Sequence, residues 1–295
     1  MTSIMKAVRP QSDISVNSDE TIDRPVGNGP GSTKTGLSRL RGSVIPWEAV
    51  VSVVAAFALL ELAGRTGLLS ENLFPLASEV LARLVRDMGT SVFWTAIGQT
   101  LSQAGLGLII GTAVAIPVGL LFGRVEILDQ GFRPLVEFLR PIPAIAVLPL
   151  VIMTMGVGPS GAVLLASVSC FWLVLVMTIR GARSVDPVAG QAMTVFGLPR
   201  LAQIRHLILP SASPFIVTGV RIAASVSLIV AITIELLGGV PGLGKLVQRS
   251  LQSADLTGVY SYTVAAGILG VLVTLVIRRA EGFVLSWHPS QRKSR

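Results

Sequence analysis

Six long apolar runs set the pattern of this chain, at 47–63, 95–121, 142–156, 161–179, 214–237 and 259–277. A hydrocarbon layer about 30 Å thick takes about 20 helical residues to cross, so the runs are read as membrane spans, the third being short. None alternates apolar and polar residues as a barrel strand would, and unpaired backbone groups are too costly in lipid for any other arrangement. The pattern therefore predicts an all-α, polytopic membrane protein with about six transmembrane helices over residues 44–280. Residues 1–43 are rich in Ser, Thr, Gly, Pro and Asn and predict a disordered cytoplasmic tail. Residues 281–295 predict a short basic cytoplasmic tail. The first apolar run starts too late for a secretory signal.

Composition supports this reading. Charged residues make up 14% of the chain and mean hydropathy is +0.72, far from the balance of a soluble domain. The 24 Lys and Arg are unevenly placed. Six lie in the N-terminal tail, three between Arg124 and Arg140, four between Arg180 and Arg205, and five after Ile277. The intervening segments hold Arg65, Arg83, Arg86, Lys245 and Arg249, and Arg221 falls inside the fifth run. Basic residues concentrate on the cytoplasmic side, so the N-terminus is expected inside a bacterial inner membrane. Topology and contact with anionic lipid then account for the net charge of +8, with no call for nucleic acid.

Three motifs invite chemistry. Residues 239–245, "GVPGLGK", have the GxxxxGK spacing of a phosphate-binding loop, but Leu246 stands where a Ser or Thr would hold magnesium. The loop also follows the fifth run, on the face away from cytoplasmic ATP, where glycines serve a sharp turn and close packing. Gly158-Pro159-Ser160-Gly161 has the GxSG form of an intramembrane protease, yet His206 and His288 are both assigned to the opposite side of the membrane. Cys170, the single cysteine, is expected as a buried apolar-like thiol. No HEXXH, CXXC or carboxylate cluster is present, so no metal or other cofactor is implied.

The loop at 180–210, "RGARSVDPVAGQAMTVFGLPRLAQIRHLILP", is too polar to span and too periodic to be disordered. Asp186 is placed to cap a helix with Pro187 at its first position, and Gly197 to end it. "LPRLAQIRHLIL" predicts a second short amphipathic helix, broken by Pro210 before the fifth span. Two short helices hinged at a glycine and projecting from a membrane suit docking into a partner's groove.

Gln191-Ala192-Met193, Gly197 and Leu207-Ile208-Leu209-Pro210 resemble the EAA loop of the binding-protein-dependent permeases of ABC importers. Gln191 replaces the usual Glu, Met193 an Ala and Leu207 an Ile, with the spacing intact. "RPLVEFLRPIPAIAVLPLVIMTMGVGPSG", "IRGARSVDP" and "GVRIAASVSLIVAITIELLGGVPGLG" look like the branch that imports nitrate, sulfonates and taurine, a resemblance covering about two thirds of the chain. It implies a permease without an ATPase of its own. Two copies would form the pore, a cytoplasmic ATP-hydrolysing subunit would receive the loop, and an extracytoplasmic solute-binding protein would deliver a small solute. Gln191, Ala192, Gly197, Leu207, Leu209 and Pro210 are then the expected ATPase-coupling residues.

In the fifth run, Thr218, Arg221, Ser225, Leu228, Ile232 and Glu235 share one helical face. Intramembrane Arg and Glu are costly unless they meet a cavity or partner, which makes Thr218, Arg221, Ser225 and Glu235 candidates for the translocation pathway. Both charges also lie near the span's ends, within reach of water. In the second run, Gly107, Gly111, Ala115 and Gly119 repeat every four residues, as for close helix packing or a dimer seam. An ion-coupled secondary transporter is the alternative. It would call for coupling carboxylates at mid-membrane and often an internal repeat, and no clear repeat is visible.

Overall fold

The computed structural model describes residues 47–67, 73–139 and 142–284, which contain helices and turns and no strand. The expected disordered tail at 1–43 lies outside the described residues, as does 285–295 of the expected basic tail; residues 281–284 belong to the last helix. In chain order the helices are α1 Trp47–Arg65, α2 Ala77–Met88, α3 Ser91–Arg124, α4 Glu126–Leu139, α5 Leu148–Met155, α6 Pro159–Arg183, α7 Pro187–Val195, α8 Arg200–Gln203, α9 Leu209–Gly238, α10 Leu243–Gln252 and α11 Leu256–Val284. A 3-10 turn, Ala144–Val147, leads into α5, and a π segment, Ile204–Ile208, joins α8 to α9.

Among the described residues, four helical segments are long and apolar enough to cross a membrane, built on α3, α6, α9 and α11. The third predicted span is not one straight helix. Its residues form the 3-10 turn and the eight-residue α5, and with α4 they make a pair bent by 76°, a fifth span only if the bend lies within it. Pro143 at the start of the 3-10 turn and Pro149 in the first turn of α5 account for the fresh helix starts, since each lacks a backbone N–H donor and restrains the residue before it. The first predicted span is a helix, α1, 19 residues long, but it is not among the four segments long and apolar enough to cross. Helices α2 and α10 were not anticipated: each is short and apolar along one side only, a pattern a search for long apolar runs passes over.

Helices α3, α6 and α9 pack on one another and carry most of the interior. The repeat at 107, 111, 115 and 119 is spent within the chain, against α6. A side chain at Gly107 would meet Ala166, one at Gly111 would meet Ser167 and Cys170, and one at Gly119 would meet Thr178. Small residues let two backbones approach where lipid supplies no hydrophobic drive between helices. Ala115, Cys170, Val174, Leu175 and Ala223 fill the seam that results. Cys170 is fully buried there, its thiol turned to the Ala223 carbonyl at 3.5 Å, as a structural cysteine.

At one end of this trio, α11 and α10 pack on α9, and α2 packs on α11. Arg83 of α2 holds that corner. Its guanidinium reaches Asp87 at 2.9 Å and Asp255 at 3.2 Å, while Asp255 also accepts the Gly258 N–H at 2.9 Å.

Candidate functional site

Two features stand at opposite ends of α9. At its start is the loop that runs from α6. The Asp186 carboxylate accepts the Val188 N–H at 2.8 Å and Pro187 opens α7, the predicted cap. Gly197 ends the helix with φ +71°. Its N–H donates to the Thr194 carbonyl at 3.0 Å and that of Leu198 to Met193 at 3.1 Å, the paired bonds of a Schellman turn. A glycine is required there because a Cβ is penalised at positive φ.

The second half of the loop differs from expectation. Leu198 to Pro210 do not form a separate helix broken at Pro210. Helix α8 passes through the π segment straight into α9, and Pro210 sits in the first turn of α9. Proline cannot donate to the carbonyl one turn back, and a widened π turn absorbs that missing bond without a break. The loop therefore hangs from α9 as a continuous extension, with Gly197 as the bend between α7 and α8.

The surface of this loop is apolar and uncovered. Val195, Phe196 and Leu201 are 85%, 81% and 76% exposed. Gln191 and Ala192 are exposed on α7, Leu207 is half-buried, Leu209 exposed and Pro210 half-buried. Ile208 between them is buried with Ala182 and Val185, which anchors the loop to the end of α6. Arg124 at the end of α3 shares a cavity with Asp186, Gln191, Thr194 and Gln203, so the basic segments 124, 180–183 and 200–205 collect at this end of the bundle. Ser160 opens α6 and His206 follows its end; 25 residues of helix, about 37 Å, lie between them, and no hydrolytic pair forms.

At the far end of α9 the chain turns through 239–244, the stretch that resembles a phosphate-binding loop. The turn is occupied by the chain's own carboxylate. Glu235, with no exposed surface, accepts the Gly244 N–H at 2.9 Å and the Thr100 hydroxyl at 2.9 Å. The Leu243 N–H donates to the same hydroxyl at 2.9 Å, and Gln103 donates its amide to the Pro241 carbonyl at 2.7 Å. A Cβ on Gly242 would overlap the Glu235 carboxyl, and one on Gly244 would overlap the Ile232 carbonyl. The backbone donors that would cradle a phosphate are thus engaged internally. Thr100 and Gln103 were not singled out in the sequence, although two polar residues three apart in an apolar run were the available signal.

The remaining residues of the α9 stripe are spread along the helix. The Thr218 hydroxyl folds back on the Pro214 carbonyl at 2.8 Å, Arg221 pairs with Glu281 of α11 at 3.1 Å, and Ser225 is half-buried. Glu235 is about 21 Å from Arg221 along the helix and shares no contact with it. Among the described residues no group of three His, Cys, Asp or Glu is placed to hold a metal ion.

The family model described as "Binding-protein-dependent transport system inner membrane component" matches residues 107–284, from the α3–α6 seam to the end of α11. The chain belongs to this family. A probable ABC transporter permease protein of Brucella melitensis is 31% identical over 71% of this chain and 85% of its own length. The taurine transport system permease protein of Escherichia coli is 28% identical over 75% of this chain and 82% of its own length. In fold, the chain is similar to the inward-facing MetNI methionine ABC transporter, with a TM-score of 0.58 at 19% identity over 64% of this chain and 94% of that one. The protein is a multi-pass membrane permease and a transport subunit, not an enzyme. Membership implies an ATP-hydrolysing partner and a solute-binding partner.

Proposed function

We propose that this permease moves a small anion of the sulfonate, taurine or nitrate kind across a bacterial inner membrane, as one of two like copies, driven through the loop at 187–210 by a cytoplasmic ATPase. The observation that carries the coupling role is the uncovered apolar surface of Val195, Phe196 and Leu201, held out on the end of α7 and on α8, either side of the Gly197 turn. Exposed aliphatic and aromatic side chains at the tip of a rigid element favour a protein groove. Gln191, Ala192 and Gly197 lie on α7 and its turn, while Leu207, Leu209 and Pro210 carry the motion into α9. Because α8 is continuous with α9, a push on the loop rotates or tilts that span with little slack.

Thr218, Arg221 and Ser225 are the pathway residues of this reading, and Glu235, fully covered, holds the outer turn instead of lining the pathway. The N-terminus and the loop face the cytoplasm, and the turn at 239–244 faces outward toward the solute-binding protein. The anionic solute is supported by the likeness to a taurine permease and by the lysine and arginine of the outer face.

The test is Gly197→Asp. It places a side chain at positive φ and a charge in an apolar contact. The variant is expected to reach the membrane normally yet lose co-purification of the ATPase in detergent and lose uptake in cells. Normal ATPase binding and uptake would remove the loop from this role.

A further inference from the structure

The outer turn leaves one group of side chains without a function. Lys245 and Arg249 stand one helical turn apart on α10 and line the same cavity, of about 280 Å³, between α10 and the start of α3. Like charges at this spacing repel and weaken an isolated helix. No carboxylate lines the cavity, and among the described residues neither cation has an ion-pair partner. Lys245 is half-buried and Arg249 exposed, so the pair lines the cavity from its floor to its mouth. The opposite wall offers Ser91, Thr95 and the amide of Gln99. Glu235 is sealed behind the turn with its surface fully covered.

We propose that this cavity is a binding site for one small oxyanion, a sulfonate or sulfate-like group, at the outer face of the permease. Two cations supply charge, the Ser91 hydroxyl and the Gln99 amide of α3 supply neutral hydrogen bonds while the Thr95 hydroxyl donates to the Ser91 carbonyl at 2.8 Å, and the volume admits a group of a few heavy atoms but no nucleotide. The site is built rigidly. Gln103 and Thr100 of α3 hold the turn that starts α10, so both walls are fixed to each other before any ligand arrives. Preorganised donors around a partly enclosed space bind an anion with little ordering cost. The lysine of the phosphate-loop-like motif thus meets an anion with its side chain, outside the turn, while the backbone of the motif is occupied by Glu235. This inference rests on the reading of the solute as a small anion and locates where that anion is first held.

The experiment uses the full chain in lipid vesicles with Thr95→Cys introduced alongside Cys170→Ala. Labelling rates are measured for methanethiosulfonate reagents carrying a sulfonate, a trimethylammonium or no charge, each normalised to its rate with a free small thiol. The sulfonate reagent is expected to be favoured about tenfold over the cationic one, and Lys245→Gln with Arg249→Gln should cut that preference to about twofold or less. The neutral reagent, unchanged by those substitutions, reports that the cavity keeps its shape. Millimolar methanesulfonate or inorganic sulfate should slow labelling by about fivefold or more relative to chloride at equal ionic strength. Equal normalised rates for the two charged reagents would overturn the proposal. So would a charge preference with no protection by either free anion, which would make the basic pair a surface for an acidic protein. The coupling reading fails separately: protection that survives in Gly197→Asp leaves this site standing whatever becomes of uptake.

Discussion

The carboxylate of Glu235 accepts the backbone N–H of Gly244 at 2.9 Å, nine residues further along the chain and around a sharp turn. That bond, with the Thr100 hydroxyl shared between Glu235 and the Leu243 N–H, fastens α9, α10 and α3 at one point. A buried hydrogen bond to a carboxylate contributes about 1.5–3 kcal/mol, and leaving its partner unsatisfied adds to the loss. Glu235→Ala is therefore expected to destabilise the detergent-solubilised protein by about 2–4 kcal/mol. Glu235→Gln keeps an oxygen to accept the Gly244 N–H and should lose less than half as much. Thermal unfolding of the two variants side by side checks this, and equal losses would refute the bond's role.

Gly242 and Gly190 make a contrasting pair. At Gly242 the backbone has φ +155° and a methyl would overlap the Glu235 carboxyl, so Gly242→Ala should lower folded yield several-fold. Gly190 lies in the middle of α7 with open space around it, and Gly190→Ala should gain up to about 1 kcal/mol of helix propensity. Size-exclusion profiles of the two purified variants provide the measurement.

Helix packing in the trio is tested at Gly111 and Gly105. A methyl at Gly111 would press on the Ser167 carbonyl and the Cys170 side chain, whereas one at Gly105 meets nothing. Gly111→Ala should cost about 1–3 kcal/mol by overpacking, and Gly105→Ala nothing measurable or a slight gain. Thermal stability in one detergent, read for both, decides it.

Arg221 and Glu281 tie α9 to α11 at 3.1 Å, with the arginine side chain 40% exposed. Solvent screening at that exposure limits the pair to about 1 kcal/mol or less. A double-mutant cycle with Arg221→Ala and Glu281→Ala should give a coupling energy of that size in stability. If Arg221 also lines the pathway, uptake falls in Arg221→Ala by more than in Glu281→Ala, and equal falls would leave the pair a structural tie.

Topology is open to a direct check. In a Cys170→Ala background, Gln203→Cys in α8 should resist an impermeant thiol reagent applied to intact cells, and Ser253→Cys beside α10 should react. Labelling of the first from outside would reverse the membrane orientation argued from the basic residues.

The sequence alone determined the broad features because they rest on local physics. Long apolar runs commit α3, α6, α9 and α11 to the membrane. Asp186, Pro187 and Gly197 specify the ends of α7 through bonds made within a few residues. Tertiary structure decided the rest. Prolines in the third run could be seen but not the 76° bend, and Pro210 looked like a helix breaker until the π segment carried the chain past it. The repeat at 107–119 read as close helix packing ahead of a dimer seam but named no partner helix, and only the fold brought α6 against it. Glu235 read as a charge in search of a pathway or of water. Its partners Thr100 and Gly244 are 135 and nine positions away, and no spacing rule links α3 to the turn after α9. Periodicity and caps act over a few residues, whereas a buried carboxylate is satisfied by whatever the packed chain delivers to it.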